Sequence, residues 1–333
     1  MLRLPSFEHA APMSVDEVLA TLAEHPGRAR LLAGGTDLVP NLKHGIEEAD
    51  VVVSLRNVPG LDGVTERDDG ALELGAMITL EDLAANATVR ARHPALAQAA
   101  GVVAGPHHRR MGTLGGNVCL NTRCVYINQT YFWREALGFC LKKDGEACHV
   151  VKGGKRCVAA ASNDTAPVLM ALNATLVIAS AARGKRELPV ADFFLKDGVY
   201  NKTLEPDEML LSVIVPAPAA GSHGAYAKLR PRNSIDFPRL GVAVVFTLAE
   251  QKVSDLRIVV TALAATPQSL RNVAEIAEGR APDESLWEEL GAAAFKQCHP
   301  LTNIDGDKTY RREMVPVYVK RALRDAAENG ASS

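Results

Sequence analysis

Nothing in this chain of 333 residues approaches the uncharged apolar run of roughly 18 residues that a membrane-crossing helix needs. A charge excess of one sign is missing too. The 37 Lys and Arg are interspersed with 39 Asp and Glu for a net charge of −2, which excludes a global field favouring nucleic acid. Aromatic residues are scarce at 5%, so Ala, Val and Leu supply most of the apolar mass. A hydrophobic content of 47% and a charged content of 23% are ordinary for a globular protein. The opening "MLRLPSFEHAAPMS" has Pro, Glu and His where a signal peptide needs an apolar run, so a cytoplasmic location is expected. Cysteine is scarce as well, yet four of the six fall between Cys124 and Cys157. Three chemistries fit such a cluster: a disulfide framework, a zinc site or an iron–sulfur centre. In a reducing compartment stable disulfides are rare and clustered thiols are more often metal ligands.

What is present reads as α+β. The length allows two or three domains, and neither an internal repeat nor a low-complexity linker interrupts it. In "SVDEVLATLAEHPG", Ser14 and Glu17 stand in capping-box positions. Val15, Val18, Leu19 and Leu22 then share one helical face, and Pro26-Gly27 stops the helix. "ARLLAGGTDLVP" reads as a strand running into a Gly-Gly turn, and "DVVVSLR" as a second strand. From about residue 62 the pattern restarts, with a strand in "ALELGAMI", a helix capped by Thr79, and another opened by Pro94 in "PALAQAAGVVA". "ATLVIASA", "LPVADFF" and "MLLSVIVP" close this region near Pro216. Beyond it, "GAYAKLR", "LGVAVVFTLA" and "DLRIVVTALAA" suggest an antiparallel sheet followed by amphipathic helices. The last of these, "YRREMVPVYVKRALRDAAENG", contains Pro316, where a kink is expected. The mixed order of elements argues against a regular βαβ array.

Two glycine turns stand out. In "LLAGGTDL" two glycines follow a strand directly, a pattern that turns successive N–H groups toward one point and makes an anion nest. Thr36 adds a hydroxyl, and Asp37 can fix the turn or bind a ribose or ribityl hydroxyl. A plain tight turn has the same pattern, and this is not the G-x-G-x-x-G of a Rossmann site. "GTLGGN", Gly112 to Asn117, is a second turn of this kind. Together the two could clamp the phosphates of a dinucleotide from both sides. "HHRR", His107 to Arg110, has no partner carboxylate in sight and reads as a solvated basic turn or a subunit contact.

"LLAGGTDLVPNLK", "TLGGN", "SNDTAPVLMALNA" and "YAKLRPRNSIDFP" resemble, in order and spacing, the FAD-binding subunits of the xanthine dehydrogenase and molybdenum hydroxylase family. The resemblance covers nearly the whole chain. It implies an FAD-binding domain over 1–215, of the vanillyl-alcohol-oxidase-like PCMH type, in subdomains of about 1–60 and 61–215. It also implies a C-terminal domain over 216–333 like that of carbon monoxide dehydrogenase flavoproteins. The family's FAD-binding positions carry over to Ala33, Gly34, Gly35, Thr36 and Asp37 in the first turn. In the second they carry over to Thr113, Gly115, Gly116 and Asn117, and beyond it to Asp164 and Lys228. Without the resemblance, Lys228 reads as a solvated strand lysine. Val103 falls where some relatives place an aromatic near the flavin, a departure that leaves no ring to stack there.

The cysteines lie between the second turn and "SNDTAPV", two motifs that stand much closer together in ordinary family members. They therefore arrive in an insertion of about 40 residues, 118–158, which is costly to order unless something ties it down. Cys124, Cys140, Cys148 and Cys157 give C-x15-C-x7-C-x8-C. Structural zinc sites usually have a pair two to four residues apart, so dispersed thiolates suit an iron–sulfur cluster better. The insertion itself, in "GGNVCLNTRCVYINQ", "GFCLK", "ACHVV" and "RC", resembles that of the flavin and iron–sulfur subunits of 4-hydroxybenzoyl-CoA reductases. That resemblance implies a 4Fe–4S cluster on Cys124, Cys140, Cys148 and Cys157, with Cys119 a nearby buried thiol. The alternative is that Cys119 replaces one of the four. Cys298 stands alone as a core or surface thiol, and Tyr126, Tyr131, Phe132 and Trp133 are expected to pack the insertion down.

Neither a molybdopterin site nor a 2Fe–2S ferredoxin motif is recognisable, so no catalytic residue is assigned. The resemblance implies a large molybdopterin subunit and a small 2Fe–2S subunit as partners, in a dimer of heterotrimers. It also implies ferredoxin as electron donor and a place in aromatic degradation. The competing readings are an oxidative molybdenum hydroxylase or aldehyde dehydrogenase with the same cofactors, and a zinc-binding docking module. A UDP-sugar reductase of the broader FAD fold shares only the first glycine turn.

Overall fold

The computed structural model describes residues 2–329. The helix Val15–Glu24 begins as its caps dictate. Ser14 Oγ accepts from the Glu17 N–H at 3.2 Å, and the Glu17 carboxylate accepts from the Met13 N–H at 2.8 Å. The helix buries Val18, Leu19 and Leu22 beside a three-stranded parallel sheet, in spatial order Glu8–Ala10, Val51–Ser54 and Ala29–Leu32. This small core continues into Ala179, Met209 and Leu211, so the first unit is packed onto the sheet of the second.

That second sheet has five antiparallel strands in the order Val64–Glu66, Leu72–Gly75, Glu208–Val215, Thr175–Ser180 and Gly184–Pro189. Helices Leu80–Ala85, Pro94–Gly101 and Thr165–Ala171 share its main core. The helix expected over "PALAQAAGVVA" stops at Gly101, and Ala104 takes a φ of 41°, which no helix residue adopts. "LPVADFF" holds the end of an edge strand and a short helix, Val190–Phe193.

The third unit is a four-stranded antiparallel sheet in the order Gln268–Ser269, Lys252–Thr261, Leu240–Ala249 and Ser222–Leu229. Alternation along the strand Leu240–Ala249 divides its side chains between two cores. Leu240, Val242, Val244 and Phe246 face helices Glu284–Gln297 and Lys308–Glu328, while Ala243 and Val245 face the FAD-domain helices. Both faces are thus buried, each Val or Phe contributing about 1.5–3 kcal/mol. The final helix runs on through Pro316, which nests against Gly291 of the neighbouring helix. Gly330, where its sequence pattern ends, lies outside the described residues. None of the described helices is long and apolar enough to cross a membrane.

Candidate functional site: a glycine cradle beside a cysteine-lined cavity

The two glycine turns abut. Gly34 lies so close to the 111–112 backbone that a Cβ there would overlap the Met111 carbonyl, and Gly35 has a φ of +70°. The N–H groups of Gly34, Gly35 and Thr36 donate to no acceptor among the described residues, leaving them free for an anion. Ala33, half-buried, packs against the first core. The second turn differs. Leu114 and Gly115 donate to Ile78 O at 3.0 Å and Ala76 O at 2.8 Å, and Gly116 donates to Thr113 Oγ1 at 3.1 Å. Those three N–H groups are therefore already used, and the turn's contribution is close approach: a Cβ on Gly115 would come within 2.8 Å of Ala76. Asn117 Oδ1 accepts from Thr165 N at 3.1 Å and Thr165 Oγ1 at 2.7 Å, tying the turn to the helix that follows the insertion.

At the head of that helix Asp164 is buried with two donors, Tyr226 Oη at 2.7 Å and Lys228 Nζ at 2.9 Å. Burial pushes the Asp164 carboxyl up, and the Lys228 ammonium and Tyr226 hydroxyl oppose the shift. Lys228 is 3% exposed and also donates to Val102 O at 3.1 Å, so it is not a solvated strand lysine. Tyr226 went unnoticed in the sequence because one Tyr in "GAYAKLR" fits any buried strand position. Val103 is half-buried, and its carbonyl accepts from Arg109 at 3.0 Å. His107 and His108 lie on the short helix Pro106–Arg109, and this basic turn does have a carboxylate partner: Arg109 pairs with Glu81 at 3.3 Å.

Asp37, by contrast, is held by protein. It pairs with Arg123 and accepts from Asn41 Nδ2 at 3.1 Å. Arg123 lies over the Phe237 ring at 4.6 Å, and burial lowers its pKa to about 10. Arg123 immediately precedes Cys124, so one ion pair joins the first glycine turn to the root of the insertion.

The insertion closes at its base, where Arg123 and Ala160 exchange backbone hydrogen bonds of 2.8 and 2.7 Å. Asn303, fully buried, holds both ends: its carbonyl accepts from Val125 N at 2.8 Å and its Nδ2 donates to Val158 O at 2.6 Å. Farther out, the helix Tyr131–Ala136 carries Arg134, whose side chain is 1% exposed. Arg134 donates to His44 O and Gly45 O at 3.0 Å each and lies under the Tyr131 and Phe139 rings. Phe132 is 79% exposed, so only part of the expected aromatic packing faces inward.

Cys124, Cys140, Cys148 and Cys157 line one pocket, partly open to solvent, with Tyr126, Lys142 and His149 in its wall. Among the described residues no group of three or more His, Cys, Asp or Glu is arranged to hold a metal ion. A tetrahedral zinc site would need four sulfurs about 2.3 Å from one centre. Backbone N–H groups point at the sulfurs: Val151 N lies 3.5 Å from Cys148 Sγ, and Ala159 N lies 3.5 Å from Cys157 Sγ. Burial raises the Cys124 thiol to about 11, helped by the other three cysteines and opposed by the Tyr126 N–H. A Cβ on Gly198 would come within 2.5 Å of Cys157 Sγ, so this corner requires glycine. Four cysteines on one pocket are the donor set that an iron–sulfur group takes. Cys119 is absent from it and packs on the main core beside Lys202, with burial raising its pKa. Cys298 is buried in the C-terminal core, where burial raises it to about 12.

Comparison with known proteins gives the same architecture. Residues 5–218 match the family described as the FAD-binding domain in molybdopterin dehydrogenase, and residues 225–326 match the CO dehydrogenase flavoprotein C-terminal domain. The chain is 31% identical over 322 residues to the carbon monoxide dehydrogenase medium chain of Hydrogenophaga pseudoflava, covering 97% of each. A structure of that dehydrogenase, lacking the Mo-pyranopterin moiety of its cofactor, matches with a TM-score of 0.81 at 29% identity over 99% of this chain and 100% of the other. The xanthine dehydrogenase FAD-binding subunit of Escherichia coli O157:H7 is 25% identical over 327 residues, covering 98% of this chain and 97% of that one. The fold and the glycine cradle thus define a flavin-binding oxidoreductase subunit. The chain belongs to the FAD-binding subunits of the molybdenum hydroxylase and xanthine dehydrogenase family.

Proposed function

We propose that the chain is the FAD and 4Fe–4S subunit of a molybdenum-containing 4-hydroxybenzoyl-CoA reductase. The observation that carries this reading is the convergence of Cys124, Cys140, Cys148 and Cys157 on one cavity whose root is ion-paired to the glycine cradle. The overall reaction consumes two electrons and two protons, releases the phenolic oxygen as water and leaves benzoyl-CoA. When bound, flavin and cluster supply one- and two-electron exchange in series.

The protein's part is to hold both groups and keep them close. Gly34, Gly35 and Thr36 offer N–H groups to the FAD pyrophosphate, with Ala33 and Asp37 completing the turn. Thr113, Gly115, Gly116 and Asn117 form the opposite wall, and the Asp164–Lys228 pair faces the flavin. The four cysteines ligate the cluster while Cys119 stays out. The domains divide at about 215, with the first split near residue 60. In the cell this subunit works in the cytoplasm, with a molybdopterin large subunit and a 2Fe–2S small subunit in a dimer of heterotrimers. Reduced ferredoxin is the donor.

The test is anaerobic purification with iron, sulfide, zinc and flavin quantified, then EPR after dithionite reduction. About four irons and four sulfides per flavin are expected, with the reduced signal lost in Cys140→Ser. Zinc in place of iron would leave only the flavin. A second reading keeps the cofactors but runs the complex oxidatively, as a hydroxylase or aldehyde dehydrogenase, and is favoured by relatives named as dehydrogenases. Failure of the complex to dehydroxylate 4-hydroxybenzoyl-CoA with a low-potential reductant, alongside aldehyde oxidation, would select it.

A further inference from the structure

Lys142 is the cation in the wall of the cysteine cavity, and no carboxylate among the described residues pairs with it directly. Its Nζ donates to Asn121 Oδ1 at 2.9 Å, to Thr122 Oγ1 at 2.7 Å and to the Gly198 carbonyl. All three hydrogens of the ammonium are thereby spent on neutral oxygens, and no carboxylate lies within 4.0 Å among the described residues. The side chain is half-buried; Lys202 and Arg123 are its cationic neighbours, and Glu47, which accepts from Asn121 Nδ2 at 3.0 Å, offsets only part of that charge. Such a cation is costly unless an anion balances it. Gly198, whose carbonyl fixes the ammonium, is also the residue pressed against Cys157 Sγ, and its N–H donates to Cys157 O at 2.9 Å. The same loop therefore holds the cation and one corner of the thiolate set in register.

We propose that Lys142 is the fixed counter-charge of the cysteine-bound cluster: its ammonium, beside Cys157 in the cavity wall, raises the cluster's reduction potential. This rests on the cluster reading above. One-electron reduction adds one negative charge inside the four-thiolate cage, and a cation held at fixed distance stabilises that form over the oxidised one. Lys142 acts through the cluster's potential and is a positioning residue, with no bond to the metal.

The experiment is a redox titration of the anaerobically purified full chain, followed by EPR, with flavin absorbance recorded on the same samples. Lys142→Gln keeps a polar side chain and removes the charge. At the potential where the wild type is half reduced, its reduced-to-oxidised ratio is expected to fall about tenfold, which is about 59 mV for one electron. Lys142→Arg is expected to restore the wild-type value, with the flavin unmoved in both. An unchanged midpoint in a fully iron-loaded Lys142→Gln chain overturns the proposal and leaves the cluster reading intact. Should Lys142→Gln lose iron, Lys142→Met, which fills the same space, becomes the deciding variant. A lowered midpoint there supports the proposal, whereas loss of iron from both, with retention in Lys142→Arg, makes Lys142 a loop clamp and overturns it. Absence of iron from the wild type overturns the cluster reading and this proposal together.

Discussion

The glycine cradle and the cysteine insertion adjoin, yet they are built in opposite ways. The cradle is backbone on regular elements: where a Cβ at Gly34 or Gly115 would intrude, it would strike main chain or Ala76. Its second turn and Asp37 are satisfied within the protein. The insertion has one six-residue helix and is held by side chains from afar, Asn303 at its base and Arg134 over the first unit. It leaves four thiols and a cation facing an interior gap. The difference teaches that the cradle keeps its shape with or without its ligand, whereas the insertion depends on whatever fills its cavity.

The largest test exchanges the two losses. Gly34→Ala drives a methyl into the Met111 carbonyl, so flavin per chain is expected to fall at least about tenfold while iron is retained. Gly198→Ala drives a methyl against Cys157 Sγ, and the reverse is expected: iron lost, flavin kept. Metal analysis and flavin absorbance on the same preparations read both. Joint loss of the two cofactors in either variant would show that the regions are not separable.

On the proposed cluster reading, removing iron with a chelator under reducing conditions is expected to speed proteolytic cutting within 118–158 about tenfold, because metal binding and ordering would be one equilibrium there. Removing flavin should leave that rate unchanged. Mass spectrometry of the first fragments locates the cuts. A first cut in the 1–117 region would reverse the comparison. Arg134→Met should then act on the insertion from the outside. It strips His44 O and Gly45 O of a buried charged donor and is expected to cost about 3 kcal/mol. Denaturant unfolding of the iron-loaded chain measures it.

These contrasts also explain what could be read in advance. Local chemistry was legible. Ser14 and Glu17 cap their helix, Gly34–Gly35 turn, and the strand "LGVAVVFTLA" forms as its β-branched pattern requires. The four cysteines were legible as a set only through the resemblance of the insertion, with Cys119 left as an alternative ligand. The clamps were not legible, because Asn303, Arg134, Lys142 and Gly198 look like any polar or glycine residue until distant segments meet them. Asn303 lies more than a hundred residues from the Val158 carbonyl it holds. The edge strand Gly184–Pro189 went unseen for the opposite reason: "GKRELP" is charged and exposed, so no hydrophobic alternation marks it.

The smallest effect separates the regions by pH. His93 joins the helices Ala87–Arg92 and Pro94–Gly101, is 2% exposed, and has no hydrogen-bond partner at either ring nitrogen among the described residues. Burial lowers its pKa to about 4, with Arg92 adding to the shift. Its folded pKa lies below the unfolded value of about 6.5, so between the two the unfolded chain binds more protons. The stabilisation is complete above that value and is lost as pH falls toward 4, at up to about 1.4 kcal/mol per pH unit. Urea unfolding of the iron-loaded chain at pH 7 and pH 5 is expected to show this loss, and His93→Phe should flatten it. Within that window, acid is expected to release flavin before iron, because the helix pair around His93 packs in the main core of the FAD-binding domain. Iron lost ahead of flavin between pH 7 and pH 5 would mean that the cysteine cavity, and not the helix pair around His93, is the acid-sensitive half.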